Sequence, residues 1–252
     1  MVRGAASATT DGYLAALLTV APGAQIAAVY AVGSLALGDF SERQSNFDLV
    51  VVADPRLDAV QIRRLSRAVR VLHRAGRDAR VWYVTWEDLD AGGPGSLAGE
   101  PDEGSPLATP MTRAILRHDP MALLGPDWPV VAHDPDVLKA WCSERLRNLA
   151  ATDHGLLVMR RAIGPLVLEA ARLAQGSITG RVLSKSEAGE ATVPIVSSSH
   201  QRVLVDAVGY RRGAQTSMYW GPFERKYDAL ALVRELLDAA VAPGSPPTGE
   251  GR

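Results

Sequence analysis

The hydrophobic and polar positions of this chain change rhythm midway along its length. In the first half short apolar runs stand apart: Ile26 to Val32 and Phe47 to Ala53 are almost unbroken, and Ala79 to Thr85 is the third. Apolar runs of about four to eight residues, bounded by turn-forming residues, predict strands. Around them, in Thr10 to Thr19 and in Leu57 to Arg74, apolar residues recur at three- and four-residue spacing, which predicts helices. Strands alternating with helices predict a helix-covered sheet. The second half carries only the helical period, over Asp134 to Ala150, Thr152 to Gln175, Ser184 to Ala191, Ser197 to Tyr210 and Phe223 to Ala240. Between the halves, Asp90 to Pro106 reads DAGGPGSLAGEPDEGSP, with five Gly, three Pro and no apolar period. That is a loop, read either as an active-site flap or as a divergent insertion. The end, PGSPPTGEGR from Pro243, predicts a disordered tail.

Composition narrows the class. At 252 residues the chain holds one ample domain or two modest ones, and a hydrophobic fraction of 47% can build a core without staples. The single cysteine, Cys142, excludes a disulfide scaffold and fits a reducing cytoplasm. The longest apolar stretches, Tyr13 to Pro22 and Ile26 to Val32, fall short of the roughly 20 residues that span a bilayer. Tyr13 to Pro22 also follows Arg3 as a signal peptide would, but Asp11 just ahead of it favours an amphipathic first helix. Charge is nearly balanced, 27 basic against 28 acidic residues, so no bulk nucleic-acid surface is expected. The arginines Arg63, Arg64, Arg67, Arg70 and Arg74 recur at helical spacing without interleaved aromatics, as on a solvated face. The five histidines are scattered without metal-ligand spacing.

Chemistry concentrates in Ala31 to Ala53, AVGSLALGDFSERQSNFDLVVVA. An apolar strand ends at Gly33-Ser34, where glycine lets backbone approach a ligand and free amides could hold phosphate oxygens. About a dozen residues later a second strand opens with Asn46-Phe47-Asp48. Alternation puts residues 46 and 48 on one face, and two oxygen ligands spaced by two suit Mg²⁺ held between protein and phosphates.

Gly33-Ser34, then Ser45, then Asn46-Phe47-Asp48 resembles the DNA polymerase β-like nucleotidyltransferases. The second half resembles their aminoglycoside adenylyltransferase branch: RLAQGSITGRVLSKSEAGE, Arg172 to Glu190, looks like its Thr-Gly, Lys and following helix, and VLVDAVGYRRG, Val203 to Gly213, like the next helix. The resemblance implies an α/β domain over residues 1–125, a mixed sheet with covering helices. An all-α helical bundle domain over 126–242 and the tail 243–252 would follow. It implies a cytoplasmic enzyme that binds ATP and Mg²⁺ between the two domains and transfers a nucleoside monophosphate to a small-molecule hydroxyl, an aminoglycoside-like acceptor among the candidates. Gly33, Ser34 and Ser45 match positions that cradle the phosphates, Asp48 with Asn46 the metal ligands, Lys185 a lysine that reaches the triphosphate, and Tyr210 an aromatic lining the nucleotide site.

The sequence departs from that pattern where charge matters. Asn46 stands where the family has an aspartate, and the third acid of the family falls at Arg80, a cation that repels Mg²⁺ and cannot act as a base. Asp78, two residues earlier on the same strand face, is the alternative acid; Glu87 lies beyond the strand. Arg80 could instead pair with phosphate. In the segment that precedes the Thr-Gly, Asp153 and Glu169 are the only acids and Arg160 with Arg161 are adjacent cations, read as a solvated helix face. A second reading follows from Asn46 and Arg80: a catalytically silent module that keeps the pocket without the metal chemistry.

Overall fold

A computed structural model of the chain describes residues 11, 14, 15, 19, 26–41, 44–58, 60–65, 79–91, 108–152 and 159–241. It separates into two compact units, Met1–Asp134 and Pro135–Arg252.

The first unit is built on a four-stranded sheet of order β3-β2-β1-β4, with β1 at Ile26–Val32, β2 at Phe47–Ala53, β3 at Ala79–Val84 and β4 at Met121–Leu124. β1 runs antiparallel to β2 and β4, while β2 and β3 are parallel, so the sheet is mixed. The unbroken apolar character of β1 and β2 follows from their place: both are central strands, and every residue of β2 is buried. A strand covered on both faces has no polar side to alternate with. On one face Val29, Ala31, Leu49 and Val51 pack with Leu57, Ile62 and Leu65. Residues 60–65 are helical, and their start is capped reciprocally: the Asp58 carboxylate accepts the Val60 and Gln61 amides at 2.7 and 2.8 Å, and the Asp58 amide donates to the Gln61 side chain at 2.8 Å.

Three elements were not anticipated. A short helix α1, Trp86–Asp90, follows β3 on a Thr85 capping box, and helix α2, Pro110–His118, starts from a Thr109 cap. In α2, Thr112 and Arg113 are buried along with the apolar Met111, Ala114, Ile115 and Leu116. The buried Arg113 is held by the Leu89 and Asp88 carbonyls at 2.8 and 2.9 Å, and burial lowers its pKa. β4, the third, has four residues and is an edge strand. The stretch after β4 stays with the first unit: the Tyr30 hydroxyl donates to the Pro126 carbonyl at 2.8 Å, and the Ala132 amide to the Leu89 carbonyl at 3.0 Å. The compact units divide at Asp134–Pro135.

The second unit is helical: α3 at Pro135–Ala151, α4 at Arg160–Thr179, α5 at Lys185–Thr192, a 3₁₀ turn at Val193–Ile195, α6 at Ser198–Arg211 and α7 at Pro222–Val241. α4 is the central helix and packs against α3, α5, α6 and α7. It begins at Arg160, eight residues later than the period suggests. Close packing rests partly on Gly176, where a Cβ would stand 2.6 Å from the Cys142 Sγ of α3. Cys142 is buried, and burial pushes its thiol pKa up to about 12, so it is a core residue. No described helix is long and apolar enough to cross a membrane. Asp78, Asp153, most of the Asp90 to Pro106 loop and the 243–252 tail lie outside the described residues, as do most of the first predicted helix and residues 66–74 of the next.

Candidate functional site

β1 ends at Val32, and the chain turns at Gly33 with φ of 65°. The turn is closed by amides further on: Leu37 donates to the Gly33 carbonyl at 3.1 Å, Asp39 to Ser34 at 2.8 Å and Gly38 to Leu35 at 3.3 Å. The amides of Ser34, Leu35 and Ala36 are left outside these bonds, like the first N–H groups of a helix, which attract anions. Glycine is required at 33 twice over. Its φ is positive, and a Cβ there would stand 2.8 Å from Asp48 Oδ2.

Asp48 is the second residue of β2, opposite Val32 on β1 and beside Arg80 on β3. It is buried, at 7% exposure. Arg80 grips it with both prongs of its guanidinium: Nε donates to Oδ1 and Nη2 to Oδ2, each at 2.7 Å. Such a planar, charge-assisted pair is the strongest ion-pair geometry available to a carboxylate. The Arg80 side chain is 41% exposed, so Asp48 is the buried partner and Arg80 faces solvent.

Ser45 prepares the entry to β2. Its hydroxyl accepts the Ser41 amide at 3.0 Å and its amide donates to the Ser41 carbonyl at 2.8 Å, which fastens the loop just before Asn46. Phe47 then packs edge-on to Phe40, ring centres 5.3 Å apart. Asn46 is half-buried, two residues ahead of Asp48 on the same strand side. The first unit thus brings together Gly33, Asp48 and Arg80, with Ser34 next to Gly33 in the turn and Ser45 and Asn46 on the approach to β2.

The donor set does not fit the Mg²⁺ that the resemblance implies. Among the described residues, both Asp48 oxygens already accept bonds from a cation, the Arg80 guanidinium, and Asn46 offers a neutral carbonyl where a hard dication needs a carboxylate. Among the described residues no group of three or more His, Cys, Asp or Glu could hold a metal ion.

Lys185 and Tyr210 belong to the second unit. Lys185 is the first residue of α5, behind a capping box formed by Ser184 and Glu187. Its Nζ lies 3.2 Å from Glu169 Oε2, and Arg172 donates to both Glu169 oxygens at 2.9 and 2.8 Å. Burial opposes ionisation of Glu169, but Arg172 and Lys185 outweigh it and hold the carboxyl down to about 2. For Lys185 burial dominates and lowers the pKa, with the charge of Glu169 working against it. Lys185 is therefore held within a half-buried charge cluster with Glu169 and Arg172, a pairing whose sequence signal was an acid, Glu169, inside an apolar helical run.

Tyr210 lies beneath the Arg160 guanidinium, 4.9 Å from the ring centre. The reading of Arg160 as part of a solvated face is corrected here. Arg160 is largely buried, paired with Asp206 at 3.0 Å and donating to the Asp206, Ala214 and Gln215 carbonyls at 3.1, 3.0 and 3.3 Å. Asp206, which sequence reasoning missed, also accepts from the Ser217 hydroxyl and the Met218 amide at 3.1 and 2.8 Å, so it ties the α6–α7 connection to α4. Arg161 is exposed, as expected.

A mixed sheet whose first strand ends in a Gly-Ser turn beside an acid on the second, followed by a helical unit, defines the nucleotidyltransferase fold with a helical second domain. Among solved structures the chain is similar to the spectinomycin adenyltransferase AAD(9) from Enterococcus faecialis, crystallised with ATP and spectinomycin. The likeness has a TM-score of 0.63 at 12% identity and covers 92% of this chain and 98% of that one. At that identity it establishes the fold. No family model matches the sequence, and no curated protein matches it.

Proposed function

We propose that this protein binds a nucleotide by its phosphates at the Gly33–Ser34 turn, with ATP the first candidate, and that it lacks the family's metal-dependent transfer. The observation that carries this reading is the bidentate Arg80–Asp48 pair set directly against the turn. The turn supplies amides for phosphate oxygens, and Ser34 adds a hydroxyl at its first position. Transfer of a nucleotidyl group would need a metal bridging nucleotide oxygens and a base for the acceptor hydroxyl. Asp48 is the acid at hand for either duty, and it is engaged by Arg80.

The second reading is an active enzyme that transfers a nucleoside monophosphate to a hydroxyl of a small, aminoglycoside-like molecule. It is favoured by the likeness to a spectinomycin adenyltransferase crystallised with ATP and spectinomycin. Lys185 and Tyr210 belong to that reading as groups reaching the nucleotide, which would require Lys185 to leave Glu169.

Calorimetry with ATP, joined to a pyrophosphate-release assay over spectinomycin and other hydroxylated acceptors, separates the two. Measurable ATP binding, weakened in Ser34→Ala, with no sustained pyrophosphate release is the expected result. Sustained release abolished by Asp48→Ala would establish the enzyme instead, and absence of any ATP binding would remove the site.

A further inference from the structure

We infer that Arg80 takes the place of the divalent cation: it exchanges the Asp48 carboxylate for a phosphate group, so that polyphosphate binding is independent of metal and Asp48 is the ligand's internal competitor. The inference rests on the phosphate site proposed above and goes beyond it by naming the group that neutralises the ligand.

Three observations carry it. A guanidinium fork matched to two coplanar oxygens fits a carboxylate or a phosphate equally well, and Arg80 already uses both prongs at 2.7 Å. Exposure is split unevenly, 41% for the Arg80 side chain against 10% for that of Asp48, so a ligand arriving from solvent reaches the cation and not the carboxylate. Gly33 brings the turn against the Asp48 side of the pair, with the position of its missing Cβ 2.8 Å from Asp48 Oδ2, so the turn and the guanidinium share that carboxylate as a neighbour.

The charges give the inference its sign. Asp48 and Arg80 sum to zero, and a triphosphate adds several negative charges. Asp48 then opposes the ligand twice, by occupying the fork and by repelling the phosphates. A metal-ligand Asp48 would do the reverse, because its charge would recruit Mg²⁺ and Mg²⁺ the nucleotide. The two arrangements therefore invert the effect of each perturbation.

The experiment is calorimetric titration of the full chain with ATP and with inorganic tripolyphosphate, each in EDTA and in excess Mg²⁺. For the wild type the affinities in EDTA should match or exceed those in Mg²⁺. Asp48→Asn, which keeps the shape and removes the charge, should tighten binding by about three- to tenfold, and Arg80→Gln should weaken it by about tenfold or more. Arg80→Lys, which keeps the charge without the fork, should fall between. The inference is overturned if binding requires Mg²⁺ or if Asp48→Asn weakens it, and in that case the phosphate site itself stands. If neither the wild type nor Asp48→Asn binds either probe in either buffer, the phosphate site is lost together with the inference. Should Arg80→Gln not fold, the Asp48→Asn and EDTA arms still decide. In the double variant Asn46→Asp with Arg80→Asp, a Mn²⁺ site detectable by electron paramagnetic resonance should appear where the wild type binds none, and tight Mn²⁺ binding by the wild type counts against the inference.

Discussion

Asp48 is a nearly buried charge with one cationic partner gripping both of its oxygens, and the consequences of disturbing it follow from that asymmetry. Removing Arg80 strands the carboxylate; removing both groups does not. Arg80→Ala should therefore cost about 1–3 kcal/mol in urea denaturation, the range for a buried polar group losing its partner, and adding Asp48→Ala should recover part of the loss. A double-mutant cycle without coupling between the two positions would contradict the pairing. Gly33→Ala should cost roughly 1–3 kcal/mol as well, since alanine must adopt a positive φ and place its methyl 2.8 Å from Asp48 Oδ2. Gly33, Ser34 and Asp48 were legible as a motif because strand alternation and turn chemistry act locally. The Arg80–Asp48 clasp was not, because it depends on the β2–β3 register. A slip of one residue would turn Arg80 to the opposite face of the sheet.

At the scale of elements, the strands were readable where burial is complete on both faces and the helices where one face is polar. In α2 the buried Arg113 is held by the carbonyls of Asp88 and Leu89 and lies over the Trp82 ring, 5.6 Å from its centre. The link between α4 and α5 shows the same principle with opposite charges. Glu169 has its folded pKa lowered to about 2 by Arg172 and Lys185 against the cost of burial. A depressed carboxylate stabilises the fold above its ordinary pKa, near 4.3, and loses that contribution as pH falls toward the folded value. Thermal stability should therefore decline between about pH 5 and pH 2, and Glu169→Gln should flatten that decline while lowering stability at neutral pH by about 2 kcal/mol. An unchanged acid limb in Glu169→Gln would show that other carboxylates govern it. The sequence places Glu169 and Lys185 sixteen positions apart on separate helices, so no local rule couples them.

For the whole molecule, two compact units and a near-zero net charge frame what the protein can bind. Nothing in the charge balance provides a polyanion surface, and at about 150 mM salt fluorescence anisotropy with duplex DNA should show no binding in the micromolar range. Salt-sensitive micromolar binding would reveal a basic surface that the totals conceal. The likeness to a spectinomycin adenyltransferase at 12% identity illustrates how far side chains can change while a fold persists, because a fold needs apolar volume and pattern whereas a metal site needs particular charges. The sequence by itself determined the two-part architecture, the strands β1 to β3, most helices of the second unit and the turn with its acid, since each is written in local periodicity or turn chemistry. Only the tertiary structure decided that Arg80 closes on Asp48, that Arg160 is drawn in to Asp206 and that Lys185 is held by Glu169. Each of these pairs joins residues remote along the chain, and their free energies depend on burial and register, quantities that exist only once the chain has folded.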